Sequence, residues 1–419
     1  RAPDVTCHPL LDTGCRRVLD TAGHAILDTS CRPVLHKVST LSARRTNLNL
    51  APWQRIPLLL LGFVALLSGT LAGLARLGWP VPDAASALTP PHGPLMICGF
   101  FGVVISLERA VALGRLWAYT APLAAGLGTL ALLAGLQRAA PWFTVAGGVV
   151  LVAASADLWR RQRALFTFTL ALAACAWLAG SVRWALGVAV HEVVPWWLAF
   201  LVLTIAGERL ELSRFLPPSA LASRVFAGLL VATVAGLAGL GGATPGLAGQ
   251  GGATHGLPWG GLLFALALLG LALWLLRQDV AWRTVRAKGL TRYIAVALLA
   301  GYFWLAVAAA LALANGGFRP GNAAYDAALH ALLLGFVFSM VFGHAPIILP
   351  AVLHVKLPYH PAFYAPLALL HASLLVRLGG DGSGSPDLLR LGAALNALAL
   401  GAFVIGSACA VWRGRRRPG

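Results

Sequence analysis

The sequence predicts an all-α, polytopic membrane protein of about twelve transmembrane helices. Three observations carry this. Hydrophobic residues make up 58% of the 419-residue chain and charged residues only 11%, against roughly 25% charged in a soluble domain. Apolar runs of roughly 20 residues, long enough to cross the hydrocarbon, recur along the chain. The basic residues fall mainly in the short stretches between those runs. A spanning segment must satisfy its own backbone hydrogen bonds, as a helix or within a closed barrel. Residues 56–74 are continuously apolar, without the alternation of a barrel strand, so helices are expected.

The net charge of +18 would suggest nucleic acid on a soluble protein. In a membrane protein it sets topology instead, and no nucleic-acid partner is expected. The six cysteines are scattered, with Cys98, Cys175 and Cys409 inside apolar runs, where small buried residues are expected. There is no Cys-x-x-Cys pair, no haem-attachment motif and no phosphate loop.

The first stretch carries an eight-residue tandem repeat, with Cys15 and Cys31 and with His8, His24 and His36 among its positions, and no methionine precedes Met96. A Cys/His metal segment would need zinc-type pair spacing, which is missing. Residues 1–50 are therefore expected to be a disordered or mis-translated repeat leader, and 51–419 a single transmembrane helical domain.

Spans are expected to start near residues 56, 92, 117, 141, 164 and 192, then 224, 258, 292, 326, 361 and 388. Turn-forming residues separate them: Pro80-Val-Pro82, Pro217-Pro218, the Gly/Ala/Thr stretch 241–256, and the Gly/Ser stretch 379–386. One set of loops holds Arg160, Arg161, Arg163, Arg214, Arg224, Arg277, Arg283, Arg286, Lys288, Arg292, Lys356 and the basic tail, and the other only Arg76, Arg138, Arg183, Arg319, Arg377 and Arg390. By the positive-inside rule both termini are cytoplasmic, and the expected location is the inner (cytoplasmic) membrane. Reporter fusions after Arg163 and Lys288 should read cytoplasmic and one after Gly251 exterior; a cytoplasmic signal at Gly251 overturns this orientation.

In that orientation His92, His191 and His330 lie near the outer ends of the second, sixth and tenth helices. His371 is mid-to-outer on the eleventh, and His255 sits in an outer loop. His344 is about 21 Å below His330 at 1.5 Å per residue, and His354 and His360 lie in an inner loop. Histidines four helices apart point to three arcs of four helices. Ile105-Ser-Leu-Glu108-Arg109 and Ile205-Ala-Gly-Glu208-Arg209 end the second and sixth helices alike, which an internal repeat or two unrelated helix ends would both explain.

Polar groups inside a membrane are costly and mark functional sites. Neutral imidazole is a good axial ligand for haem iron, so His92 and His330 form a candidate haem clamp. Gly93 leaves room for a flat macrocycle, and Asp326, one turn before His330, is placed to hydrogen-bond the other ring nitrogen of His330 and fix its orientation. His191, beside Glu192, and His371 are further candidate metal ligands. A histidine at a helix end that faces headgroups, or one satisfied in the core, is the plainer alternative for each.

The stretch His92-Gly-Pro-Leu-Met96-Ile-Cys-Gly99-Phe resembles the second helix of the NnrS family, where His-x-His-Glu-Met precedes a small-residue helix. His92 and Met96 match, and Pro94 and Leu95 replace the second histidine and the glutamate. Ala328-Leu-His330-Ala-Leu-x-x-Gly335 is similar to that family's Ala-Leu-His-Ala-Leu-x-x-Gly element, whereas its Gly-His-Thr-Gly stretch has no counterpart. The resemblance implies a twelve-helix protein associated with haem, of b type, and with copper. It implies a role in redox chemistry or nitric oxide response, with an electron donor or nitric oxide as partner. The haem-copper oxidase architecture is similar too, with a haem between helices two and ten, but the oxidases' paired histidines on helix seven are missing here. A secondary transporter with a midplane polar site and a cofactor-free structural subunit remain the alternatives.

Overall fold

A computed structural model describes residues 49–213, 219–240 and 258–416. The repeat of the first fifty residues, Pro217-Pro218, His255 and the 241–256 linker lie outside the described residues. From Asn49 onward the chain is one unit.

Twelve helices are long and apolar enough to cross a membrane. They are α1 Pro52–Arg76, α2 His92–Leu113, α3 Leu116–Leu133, α4 Ala140–Arg161, α5 Leu165–Ala185, α6 Val190–Leu212, α7 Ala220–Leu240, α8 Trp259–Gln278, α9 Gly289–Ala314, α10 Ala323–Leu353, α11 Pro361–Ser383 and α12 Pro386–Arg415. Among the described residues there is no strand. The starts agree with the sequence expectation to within a few residues, most of them lying just after a proline, glycine or arginine in the sequence.

The chain packs mostly in sequence order, each helix against the next, and α12 closes back on α1. The most apolar helix is not the most buried. Helices α2, α6 and α10 are 67%, 72% and 67% buried, and none of the other nine exceeds 56%. The helices carrying His92, His191 and His330 are therefore the innermost, and the rest, α11 with His371 included, turn much of their surface to lipid. Exposed Leu67, Val231, Phe303 and Ile405 belong to that outer surface. Cys98 is buried as expected, but Cys175 and Cys409 are exposed on it.

One turn signal misleads. The 379–386 stretch reads as a loop, yet α11 runs through it to Ser383 and stops only at Gly384, whose φ of +65° is left-handed. Packing overrides the glycines' flexibility: a Cβ on Gly380 would lie 2.7 Å from the Leu389 backbone nitrogen, so α11 and α12 touch there backbone to backbone.

Small residues do the same between α7 and α8. A Cβ on Gly236 would meet the Phe264 nitrogen at 2.6 Å, and one on Gly260 the Gly239 carbonyl carbon at 2.6 Å. Gly260→Ala should therefore lower thermal stability in detergent by about 1–3 kcal/mol through overpacking. Gly228→Ala, with nothing within 4 Å, should be neutral or stabilising. Equal melting shifts for the two would contradict the close approach.

Candidate functional site

His92 opens α2 and leans on α1. Its Nδ1 lies 2.7 Å from the Gly69 carbonyl oxygen. A carbonyl only accepts, so the neutral ring carries its proton on Nδ1 and leaves the Nε2 lone pair uncommitted. Helix α1 makes room through Gly69 and Gly73, which share one face. A Cβ on Gly69 would fall 2.6 Å from Met96 Sδ, and one on Gly73 2.8 Å from His92 Cε1. Both candidates of α2 are thus pressed into a small-residue groove. Gly93 faces open space, its nearest neighbour being Val190 of α6 at 3.9 Å from an added Cβ.

His330 is held in the same tautomer by different means. Its Nδ1 donates to the Asp326 carbonyl oxygen at 2.8 Å and lies 3.2 Å from Asp326 Oδ2. The same Oδ2 accepts from Arg377 Nη2 of α11 at 2.7 Å. Arg377 is only 7% exposed, and its Nε is buried without a hydrogen-bond partner, as is Asp381 Oδ2. The fields of His330, Arg76 and Arg377 all reach His92, so these groups share one end of the bundle.

The two histidines also share a register. Each is followed by a π-helical stretch, Leu95–Phe101 in α2 and Ala331–Phe338 in α10. Such wide turns are rare and frequently mark functional sites. Phe100 and Phe338 each stand eight positions after their histidine. They stack with centroids 5.8 Å apart and planes within 5°, and Phe101 packs on Phe338 at 5.1 Å. Helices α2 and α10 run in the same direction and touch at equivalent positions, so His92 and His330 stand at one depth. The Phe-after-His spacing is visible in the sequence, but the π turns are not.

The remaining described histidines are committed or exposed. His371 accepts from Trp304 Nε1 at Nδ1, 2.9 Å away, and stacks on that indole at 14°. Its lone pair is therefore used, and Nε2 carries a buried proton without a partner. His344 donates from Nδ1 to the Met340 carbonyl at 2.8 Å and turns Nε2 to Arg209 Nη1 at 3.5 Å. His191 is 51% exposed, 4.0 Å from Glu192. His354 ends α10 in a left-handed turn at φ 52°, and His360 accepts from the Ala362 backbone. Among the described residues no group of three or more His, Cys, Asp or Glu side chains could hold a metal ion. His191 and His371 are thus not drawn into a common metal cluster with the central pair.

At the opposite end a second polar node ties the central helices together. Arg209 of α6 makes a two-pronged ion pair with Asp279, Nε to Oδ2 at 2.7 Å and Nη2 to Oδ1 at 2.9 Å. Asp279 also accepts from Tyr302 of α9 and from the Ala281 backbone, each at 2.7 Å. The two Glu-Arg helix ends meet here, Arg109 lying 3.9 Å from Glu208. The sequence shows these motifs as alike, and the structure shows them as neighbours. Gly69, Gly73, Arg377 and Asp279 were not singled out from sequence. The Gly-x-x-x-Gly spacing in α1 and an arginine within an apolar span were the available signals.

Twelve apolar helices around a buried, histidine-bearing centre define the class: an all-α protein of multi-pass membrane architecture. The chain belongs to a family described as a domain of unknown function (DUF8744), which matches residues 55–413. No curated protein and no solved structure matches it.

Proposed function

We propose that this is a haem-binding integral membrane protein, NnrS-like in plan, in which His92 and His330 would hold the haem iron. Its role would be in redox chemistry or nitric oxide response. The supporting observation is their shared tautomer and register. Of the described histidines, these two are inside the bundle with Nε2 uncommitted, and both have Nδ1 fixed on oxygen. That is the arrangement that orients an imidazole for iron. Bound haem supplies one-electron chemistry, tuned by its axial ligands and surroundings.

The chain's own residues do the rest. Gly69 and Asp326 hold the rings against rotation, and the Asp326–Arg377 pair keeps the Asp326 carboxylate in place. The aromatic floor of Phe100, Phe101 and Phe338 is buried and excludes water below the rings. Met96 packs between His92's helix and α1. No copper site is assigned. The charge distribution supports an inner-membrane location with both termini cytoplasmic.

A secondary transporter is the second reading, favoured by partly buried charge on α2 and α6 where Arg109 meets Glu208. The absorption spectrum of the purified protein separates the two. A haem Soret band supports the haem reading, and its absence after expression with ample haem favours the transporter.

A further inference from the structure

We propose that a cleft between the starts of α9 and α11 binds the phosphate headgroup of an anionic phospholipid. The cleft has a volume of about 570 Å3 and is lined by Lys288, Gly289, Arg292, Val296, Tyr359 and Tyr364. That volume falls within the roughly 300–1,000 Å3 of small-molecule sites.

Each wall suits a phosphate. Helix α9 begins here with no side-chain cap and no acidic residue in its first turn. Its first backbone N–H groups lack intrahelical acceptors and carry the positive end of the helix dipole. Lys288 and Arg292 are exposed, and neither makes an ion pair or hydrogen bond among the described residues. The charge of Arg292 reaches the Tyr364 hydroxyl. Tyr359 and Tyr364 are half-buried phenols that offer two further donors. Tyr293 packs behind them, its ring 5.2 Å from Tyr364, and its buried hydroxyl has no partner.

The position selects a lipid over a soluble anion. The cleft lies at the ends of two membrane-spanning helices, at headgroup depth. Val296, one turn further into α9, gives it an apolar wall that a glycerol backbone can cover. The 354–360 loop that carries Tyr359 also packs on Gly414 of α12, which brings the basic residues Arg413 and Arg415 to the same end. Basic pockets between transmembrane helices on the positive side are sites for anionic headgroups. This inference is independent of the haem reading.

The test is a titration of detergent-purified protein with short-chain phosphatidylglycerol, phosphatidylcholine of the same chain length, and inorganic phosphate, followed by native mass spectrometry. Phosphatidylglycerol should bind saturably and much more tightly than phosphatidylcholine. Lys288→Ala with Arg292→Ala should weaken it about thirty-fold, from the usual contribution per basic residue at a membrane surface. Tyr364→Phe should weaken it less. The substituted cations are exposed, so thermal melting should stay at the wild-type value and certify the fold. Equal binding of the two lipids, or unchanged phosphatidylglycerol binding by the double variant, overturns the proposal. Inorganic phosphate binding as tightly as phosphatidylglycerol also overturns it, by making the occupant a soluble anion.

Discussion

Alanine at His92 or at His330 should each abolish or alter the haem spectrum. Under the haem proposal either change would delete one of the two bonds to iron, and each leaves a cavity in the packed centre. His92→Ala also empties the groove formed by Gly69 and Gly73. His330→Ala leaves Asp326 facing Arg377 alone. Asp326→Asn keeps the ligand but weakens its orientation, and should lower haem affinity about 10–100-fold, as loss of an outer-shell partner usually does. The controls follow from tautomer and exposure. His354→Ala, at the exposed end of α10, should stay within about 0.5 kcal/mol of wild type with an unchanged spectrum. His344→Ala should also keep the spectrum, because its Nε2 is turned to Arg209. Absorption spectroscopy of the purified variants reads all five.

Asp279→Ala should be the most destabilising single change at the opposite end. It leaves the Arg209 guanidinium, 5% exposed, without its carboxylate. An uncompensated buried charge costs about 3–5 kcal/mol. Tyr302→Phe removes one hydrogen bond from the same carboxylate and should cost about 1 kcal/mol. Replacing both partners, as Arg209→Met with Asp279→Leu, should recover most of the loss, since apolar substitutes for a buried pair are often neutral. Thermal unfolding in detergent ranks the three. A milder effect for Asp279→Ala than for Tyr302→Phe would mean that the pair is not the keystone of this end.

Helix number and helix starts were legible in the sequence, whereas the central place of the second, sixth and tenth helices came only from the structure. Hydrocarbon thickness fixes the length of each apolar run, and polar residues on a helix only pay their way when it lies inside. The candidate pair His92 and His330, and the placement of Asp326 one turn before His330, were legible for the same reason. The Gly/Ser stretch at 379–386 was misread because local flexibility gave way to the close approach of α11 and α12. The π turns were not legible, since they arise from packing around Phe100 and Phe338 and leave no periodic signature over a single turn. Nor were the contacts of His344 and His371, which depend on Arg209 and Trp304 arriving from other helices.

The central claim is that His92 and His330 together hold one haem. Electron paramagnetic resonance of the oxidised wild-type protein, with iron and haem counted per chain, addresses it most directly. The account predicts one haem per chain, low-spin, with two imidazole nitrogens on the iron, and loss of that signal in His92→Ala and in His330→Ala. A protein without iron, or a low-spin signal that survives both substitutions, contradicts it.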